Sequence, residues 1–255
     1  MRSLEDVALV RALLDAGLND CEIARQTGIP RCTVRDWRHR RTERARAPVS
    51  EVGCPECNWP EHDFAALPSD AYAYLLGQYL GDGHVVQAGR TQRLRIFCCD
   101  AYPDVMAEVG RAIETVLLGT KVGSAHGIGC TAVGSYSKQW PCLLPQHGPG
   151  MKHTREIRLT DWQIEHCERA PHMLLRGLIH SDGCRCVNRV TAKATGKQYE
   201  YPRYLFNNES DDILLIFGAA CERVGVQYRW CRDNMLSVAR RDDVARLDEF
   251  IGPKS

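Results

Sequence analysis

Long apolar runs are missing from this sequence. None of its 255 residues lies in a stretch near the roughly 20 apolar residues that a membrane-spanning helix needs. Arg2, Glu5 and Asp6 also place charge where a signal peptide would be apolar. We therefore expect a cytoplasmic protein with reduced thiols and no membrane partner.

An excess of charge of one sign is missing as well. The chain has 33 Lys and Arg residues against 32 Asp and Glu residues, and its formal net charge is +1. This balance excludes a uniformly basic protein, but it hides one basic segment, which we define as residues 31–46. That segment contains seven arginines and two acidic residues, and it is the feature that indicates a polyanionic partner.

A fully paired set of disulfides is excluded because the chain has 13 cysteines, an odd number. Cys54 and Cys57 form a CxxC motif, and His62 follows it. This is only part of a zinc site, since a structural Zn²⁺ takes four ligands. The cysteines at 98–99 and 184–186 have the wrong spacing to complete it. A structural Zn²⁺ at Cys54 and Cys57 and a reduced thiol pair in a tether are both open.

Residues 1–45 are predicted to form a small helical domain. Asn19 and Glu22 match a capping box at the start of a second helix, and Gly28 allows the turn before a third helix at 31–40. A Gly-containing turn followed by a basic helix is the layout of a helix-turn-helix module. The sequence resembles the helix-turn-helix of resolvases and small regulators.

The third helix would present the side chains of this module that bind DNA. Thr33, Arg35 and Arg38 would approach base edges, while Arg40 and the arginines up to residue 46 would lie along the phosphate backbone. The alternative is a three-helix protein-interaction domain whose arginines are only solvated. Residues 46–69 are rich in proline and are predicted to form a linker.

Two stretches that lie one hundred positions apart resemble each other. Residues 75–83 are Leu-Leu-Gly-Gln-Tyr-Leu-Gly-Asp-Gly, and residues 175–183 are Leu-Arg-Gly-Leu-Ile-His-Ser-Asp-Gly. In each stretch two small residues stand four apart, so one face of the predicted helix has almost no side chain. Two such helices can pack with their backbones close together.

Close packing of these helices would place Asp82 and Asp182 side by side at the helix ends. Two adjacent carboxylates repel each other, and an anion is unfavourable at the negative end of a helix dipole. A divalent cation, Mg²⁺ or Mn²⁺, would relieve both costs. The alternative for either stretch alone is an ordinary helix end with Gly as its C-cap.

The paired stretches resemble the signature motifs of the LAGLIDADG family of homing endonucleases. The resemblance implies that Asp82 and Asp182, the eighth residue of each motif, are catalytic and bind metal. The sixth position, acidic in the family name, holds Leu80 and His180 here. Paired motifs at this spacing are a much stronger signal than one motif.

The resemblance also implies a Lys or Gln that orders water near each centre. Lys138 occupies a matching place in the first half of the chain, and Arg240 or Arg241 does so in the second. The function it implies is sequence-specific, metal-dependent hydrolysis of double-stranded DNA by a monomer that associates with the nucleoid. The alternatives are a DNA-binding transcriptional regulator that does not cleave, and an RNA-splicing maturase.

Residues 70–255 are predicted to contain two repeats, at 70–150 and 170–255. Hydrophobic periodicity indicates helix, two strands, helix, two strands and helix in each. The predicted fold class is α+β: a pseudo-twofold pair of αββαββα repeats that forms a saddle of two antiparallel sheets, plus a small all-α helix-turn-helix domain.

One face of these sheets is predicted to bind DNA through basic side chains, because residues alternate between the two faces of a strand. The basic residues expected on it are Arg93, Arg95, Arg185, Arg189, Lys193 and Arg203. Cys184 and Cys186 are expected on the opposite, inner face as small core residues. A sheet face that is only solvated is the alternative.

Overall fold

A computed structural model describes residues 4–39, 53–191 and 196–254. The chain divides into two compact units, Met1–Glu51 and Val52–Ser255. The predicted DNA contacts at Arg40 and Lys193, like those at residues 41–46, lie outside the described residues. No helix in the described ranges is long and apolar enough to cross a membrane.

The first unit contains three helices: α1 (Leu4–Asp15), α2 (Asp20–Thr27) and α3 (Arg31–His39). The predicted capping box is present, because Asn19 accepts the backbone N–H groups of Cys21 and Glu22 at 3.0 Å and the Glu22 carboxylate accepts the N–H of Asn19. Gly28 ends α2 with a φ of 67°. A small core packs the helices together; it consists of Val10, Ile23, Ile29 and Val34.

The second unit repeats one order of elements. Its helices are α4 (Ser69–Asp82), α5 (Pro103–Val116), α6 (Trp140–Leu143), α7 (Asp161–Arg169), α8 (Pro171–Asp182), α9 (Asp211–Arg223) and α10 (Arg241–Asp248). Its strands are β1 (Gly83–Ala88), β2 (Thr91–Cys99), β3 (Val122–His126), β4 (Cys130–Tyr136), β5 (Gly183–Thr191), β6 (Gln198–Asn207), β7 (Arg229–Arg232) and β8 (Met235–Val238). A 3₁₀ turn spans Lys152–Thr154.

The strands form two antiparallel four-stranded sheets with equivalent orders, β1-β2-β4-β3 and β5-β6-β8-β7. Helices α4, α5 and α6 alternate with the first sheet's strand pairs, and α8, α9 and α10 do so with the second sheet's. The predicted fold class is therefore confirmed. Helix α7, which lies between the repeats, was not predicted.

Helices α4 and α8 pack so closely that their backbones touch. A Cβ atom added at Gly77 would lie 2.7 Å from the carbonyl oxygen of Leu174, and one at Gly177 would overlap the carbonyl oxygen of Tyr74. Ser181 would overlap a Cβ added at Gly81. The bare helix faces predicted from the sequence therefore meet each other.

The glycines that follow each Asp have a different role from the one expected of a helix C-cap. Gly83 and Gly183 have φ values of −101° and −106°, so neither is left-handed. A Cβ at Gly83 would lie 2.6 Å from Cα of Tyr79, and one at Gly183 would lie 2.7 Å from Cα of Ile179. Glycine is needed there because the strand starts against the last helical turn.

Residues 53–69 correct one prediction. The sequence assigns them to a linker, but they are part of the second compact unit and pack against its α7. The ring of Phe64 stacks on Trp162 with centroids 4.3 Å apart, and the Phe64 carbonyl lies 2.8 Å from Nε2 of His166. Proline content predicted irregular backbone correctly, but it did not reveal that aromatic side chains attach this backbone to α7.

Candidate functional site

Asp82 and Asp182 are the last residues of α4 and α8, and both are half-buried where the helices meet. The Asp182 carboxylate accepts a hydrogen bond of 2.6 Å from the side-chain amide of Asn208. In the described parts of the chain, neither carboxylate forms an ion pair with an arginine. A Cβ atom added at Gly81, next to Asp82, would lie 3.0 Å from the Asp182 carboxylate, so the structure brings the two predicted acids to one site.

The two carboxylates are electrostatically unfavourable as anions. Burial raises the pKa of Asp82 to about 6, and repulsion from Asp182 adds to the effect. Burial also raises the pKa of Asp182, against the hydrogen bond from Asn208. A site that penalises two negative charges in this way is stabilised by a cation.

A half-buried lysine stabilises the first of these helix ends. The Nζ atom of Lys152 donates hydrogen bonds to the carbonyl oxygens of Tyr79, Leu80 and Gly81, at 2.6, 2.9 and 2.7 Å. The carbonyls of Leu80 and Gly81 lie in the last turn, where a helix leaves its carbonyls without an intrahelical partner, while the carbonyl of Tyr79 also accepts the N–H of Gly83. Burial lowers the pKa of Lys152 to about 8, although both carboxylates counter this shift.

A second lysine does the same at the other helix end. Nζ of Lys254 donates to the carbonyl oxygens of Ser181, at 3.2 Å, and Gly183, at 2.6 Å. Burial lowers the pKa of Lys254, and Asp82 and Asp182 both act against this shift. Each positive charge also lowers the pKa of both carboxylates, so the four side chains form one electrostatic unit.

Sequence reasoning missed both lysines, but a signal for them exists. Lys152 lies 71 residues beyond Gly81, and Lys254 lies 73 residues beyond Ser181, the equivalent position in the second motif. The repeat therefore includes a lysine at nearly constant distance from its Asp. Lys138, the residue predicted instead, is exposed in the turn after β4. No contact within the described ranges joins it to either carboxylate.

The first sheet has the predicted arrangement of arginines. Leu94 and Ile96 are buried, and Arg93 and Arg95 lie on the opposite face of β2. Arg93 stacks over the ring of Tyr136 with its guanidinium carbon 5.1 Å from the centroid. The Nε atoms of both arginines are shielded from solvent and have no protein hydrogen-bond partner. Their role in DNA binding stays a prediction.

The second sheet corrects the predicted faces. Gly183 pairs with Phe206, and Arg185, two residues further on the same face of β5, pairs with Tyr204. Phe206 and Tyr204 are buried, so Arg185 lies on the face of the sheet that is directed to the core. Arg185 forms a two-pronged ion pair with Asp248, at 2.7 and 2.8 Å. Its predicted place on the DNA face is therefore wrong.

The remaining residues of β5 follow this inverted alternation. Arg189 lies on the same face as Arg185 and forms an ion pair of 2.7 Å with Glu200. Cys184 and Cys186 lie on the other face, where Cys186 pairs with Arg203. Cys184 is exposed and Cys186 half-buried, so the prediction that both are core residues is also wrong. Arg203 thus takes the position equivalent to Arg93.

In the first unit, α3 presents two of its three predicted DNA contacts. Arg35 is exposed and Thr33 is half-exposed. Arg38 is instead occupied within the unit, because its guanidinium donates to the Asp20 carboxylate at 2.7 Å and to the carbonyl oxygen of Leu18 at 3.1 Å. It holds the start of α2 against α3.

The structure places His62, which the sequence analysis noted after the CxxC motif, and Cys142, which it did not, beside Cys54 and Cys57. The side chains of Cys54, Cys57, His62 and Cys142 offer ligand atoms that all lie within 4.8 Å of one another. Cys142 belongs to α6 in the first repeat, and no sequence motif connects it to the CxxC.

Comparison with known proteins gives two kinds of likeness. Residues 3–49 match the family model of the homeodomain-like domain. No curated protein matches the sequence.

Among solved structures, the homing endonuclease I-DmoI in complex with DNA and Mn is similar, with 15% identity and a TM-score of 0.46 over 72% of this chain and 98% of that chain. The LAGLIDADG meganuclease I-AabMI bound to uncleaved DNA is 11% identical, with a TM-score of 0.44 over 72% of this chain and 85% of that chain. The K262A mutant of I-SmaMI is 7% identical, with a TM-score of 0.46 over 70% of this chain and 84% of that chain.

Proposed function

We propose that this protein is a sequence-specific endonuclease that hydrolyses phosphodiester bonds of double-stranded DNA with the help of divalent cations. One observation supports this above all: two acids at the ends of touching helices share a site with two lysines, and all four side chains are half-buried. Paired carboxylates beside fixed positive charge are suited to metal-assisted phosphodiester hydrolysis. An ordinary pair of helix ends would not need two half-buried acids beside each other.

The donor atoms of the site fit Mg²⁺ or Mn²⁺. Asp82 and Asp182 offer hard carboxylate oxygens, and burial raises the pKa of both, so a bound cation would stabilise their anionic forms. A cation held there would lower the pKa of an attacking water and stabilise charge on the phosphoryl oxygens. DNA complexes of I-DmoI with Mn and with Ca are consistent with a divalent cation.

The two lysines would act on the scissile phosphates. Each is fixed by carbonyl oxygens, so its ammonium group is oriented before DNA binds and needs little reorganisation. The three N–H groups of Lys152 are all donated to carbonyl oxygens, so this lysine would contribute its positive charge beside the phosphate. Lys138 remains an alternative for this role in the first half.

Arginines of the two sheets would position the duplex over this site. Arg93 and Arg95 in the first sheet and Arg203 in the second lie on equivalent faces. A two-stranded ribbon fits the major groove, where arginine can bind guanine through two hydrogen bonds. Arg35 and Thr33 of the first unit would add a second set of contacts.

The second candidate function is DNA-binding regulation without cleavage. The match of residues 3–49 to the homeodomain-like model favours it, because a helix-turn-helix can bind an operator without help from the second unit. Under this alternative the acids and lysines would have no part in hydrolysis.

The experiment begins by selecting the bound sequence from a randomised duplex library in the absence of divalent cations. Supercoiled plasmid with the selected site is then incubated with the protein, with and without Mg²⁺. The endonuclease predicts nicked and linear DNA with Mg²⁺ only, with ends that map inside the site. Tight binding with intact supercoiled DNA at every Mg²⁺ concentration supports the regulator.

A further inference from the structure

We propose that Cys54, Cys57, His62 and Cys142 bind one structural Zn²⁺ ion, separate from the cations of the acidic site. Their four ligand atoms lie within 4.8 Å of one another. The Sγ atoms of Cys54 and Cys142 are 3.5 Å apart, and Sγ of Cys57 lies 3.1 Å from Nε2 of His62. The set consists of three thiols and one imidazole, which are typical zinc ligands.

These separations suit a tetrahedral ion. With Zn–S bonds of about 2.3 Å and Zn–N bonds of about 2.0 Å, neighbouring ligand atoms are roughly 3.5 to 3.8 Å apart. The side chains therefore need shifts of only some tenths of an ångström to surround the ion. Four protein ligands leave no open position for water or substrate, so the site is structural and not catalytic.

The backbone around the CxxC has the form of a preorganised knuckle. The carbonyl of Cys54 accepts the N–H of Asn58, and the carbonyl of Trp59 accepts the N–H of Cys54, both at 2.8 Å. Asn58 adopts a left-handed φ of 57° to close this turn. The N–H of Trp59 points at Sγ of Cys57 from 3.4 Å, a contact that favours a thiolate.

The fourth ligand comes from a rigid part of the first repeat. Cys142 lies in α6, where the indole N–H of Trp140 donates to the carbonyl of Ser135 at 3.2 Å. The hydroxyl of Tyr72 in α4 donates to the carbonyl of Leu143 at 2.7 Å. A zinc ion would therefore tie residues 54–62 to the element that packs against the first motif helix.

Donor chemistry keeps this site apart from the acidic one. Three thiolates and an imidazole select Zn²⁺, while paired carboxylates select Mg²⁺ or Mn²⁺. The zinc proposal does not depend on DNA cleavage. Its rival is a disulfide, since the Sγ atoms of Cys54 and Cys142 lie 3.5 Å apart.

The test measures metal content of the full chain purified without added metal or chelator. Elemental analysis should find one zinc per chain in the unaltered protein and background zinc in Cys142→Ser. Cys99→Ser is the control, because Cys99 is an exposed cysteine of the same repeat outside the cluster; it should keep its zinc. Cys142→His should restore binding because it returns a ligand.

Cobalt replacement in the unaltered protein keeps the test independent of whether Cys142→Ser folds. The proposal predicts the intense visible bands of tetrahedral Co²⁺ together with sulfur-to-cobalt charge transfer. Weak bands of octahedral cobalt, or absence of zinc from the unaltered protein, would overturn it. A Cys54–Cys142 disulfide found by mass spectrometry of the freshly purified, unreduced protein would overturn it as well.

Discussion

The carbonyl oxygen of Gly81 accepts a hydrogen bond of 2.7 Å from Nζ of Lys152, a residue 71 positions further along the chain. This bond places an ammonium group at the negative end of α4, next to Asp82. The charge there is favourable for the helix dipole and for the carboxylate, but its own burial lowers the pKa of the lysine. A charge kept at such a cost indicates a functional position.

Replacing Lys152 should therefore impair cleavage more than binding. Lys152→Met should lower the single-turnover rate about 100-fold or more, the usual effect of losing a positioned charge or proton donor, with DNA affinity within about threefold. Lys138→Met is the matched comparison, because it removes an exposed lysine of the same repeat. A larger loss of rate from Lys138→Met would restore the assignment made from sequence.

The raised pKa of Asp82 predicts a pH-dependent cost to stability. The pKa of Asp82 is about 6 in the folded protein against the ordinary value of 3.8, so folding favours the protonated carboxyl. The contribution of Asp82 to stability is therefore fully present below pH 4 and is lost as pH rises through 6. At pH 8 without divalent cations, Asp82→Asn should raise the free energy of unfolding, by roughly 3 kcal/mol at most.

Mg²⁺ should remove the stability advantage of Asp82→Asn over the unaltered protein. It should raise the melting temperature of the unaltered protein and have little effect on Asp82→Asn, because a cation stabilises only the form that binds it. Asp70→Asn is the control, since Asp70 is an exposed acid in the first turn of the same helix. Equal destabilisation by both substitutions at pH 8 would contradict the proposed strain.

The contact between α4 and α8 predicts a steric penalty. Gly77→Ala would place Cβ 2.7 Å from the carbonyl oxygen of Leu174, and neither backbone can move away without opening the interface. Overpacking of this kind costs about 1–3 kcal/mol. Gly123→Ala should change stability by no more than about 0.5 kcal/mol, because the added Cβ meets open space. Chemical denaturation of both variants measures the difference.

The corrected strand faces separate two arginines that sequence placed together. Arg203→Ala should weaken DNA binding and reduce the slope of log affinity against log salt by about one, if it contacts a phosphate. Arg185→Ala should leave affinity and slope nearly unchanged, because its guanidinium is paired with Asp248. Filter binding at several salt concentrations decides between them. Loss of affinity from Arg185→Ala alone would favour the original faces.

Much of the fold was predictable because its signals are local. The capping box at Asn19, the spacing of Gly77 and Gly81, and hydrophobic periodicity each depend on residues within a few turns of one another. The pairing of Asp82 with Asp182 was predictable for a different reason, since the two motifs repeat each other.

The missed features depend on contacts between distant residues. Lys152 and Lys254 bind carbonyl oxygens at the helix ends, and no local pattern encodes such contacts; their sequence signal is a similar distance from the two motifs, which shows only when the repeats are compared. Cys142 joins the CxxC only through the packing of α6. The prediction assigned the two faces of β5 the wrong way round. Alternation in the sequence fixes which residues share a face, and the pairing of Gly183 with Phe206 shows which of the two faces is buried.

The most direct test of the central claim compares cleavage by the unaltered protein with that of Asp82→Asn and Asp182→Asn on the selected DNA site in Mg²⁺. We predict that each substitution lowers the cleavage rate at least about 1,000-fold, while DNA affinity measured without Mg²⁺ stays within about threefold. Cleavage at the unaltered rate by either variant would contradict the account, and so would tight, specific binding by the unaltered protein with no cleavage in Mg²⁺ or Mn²⁺.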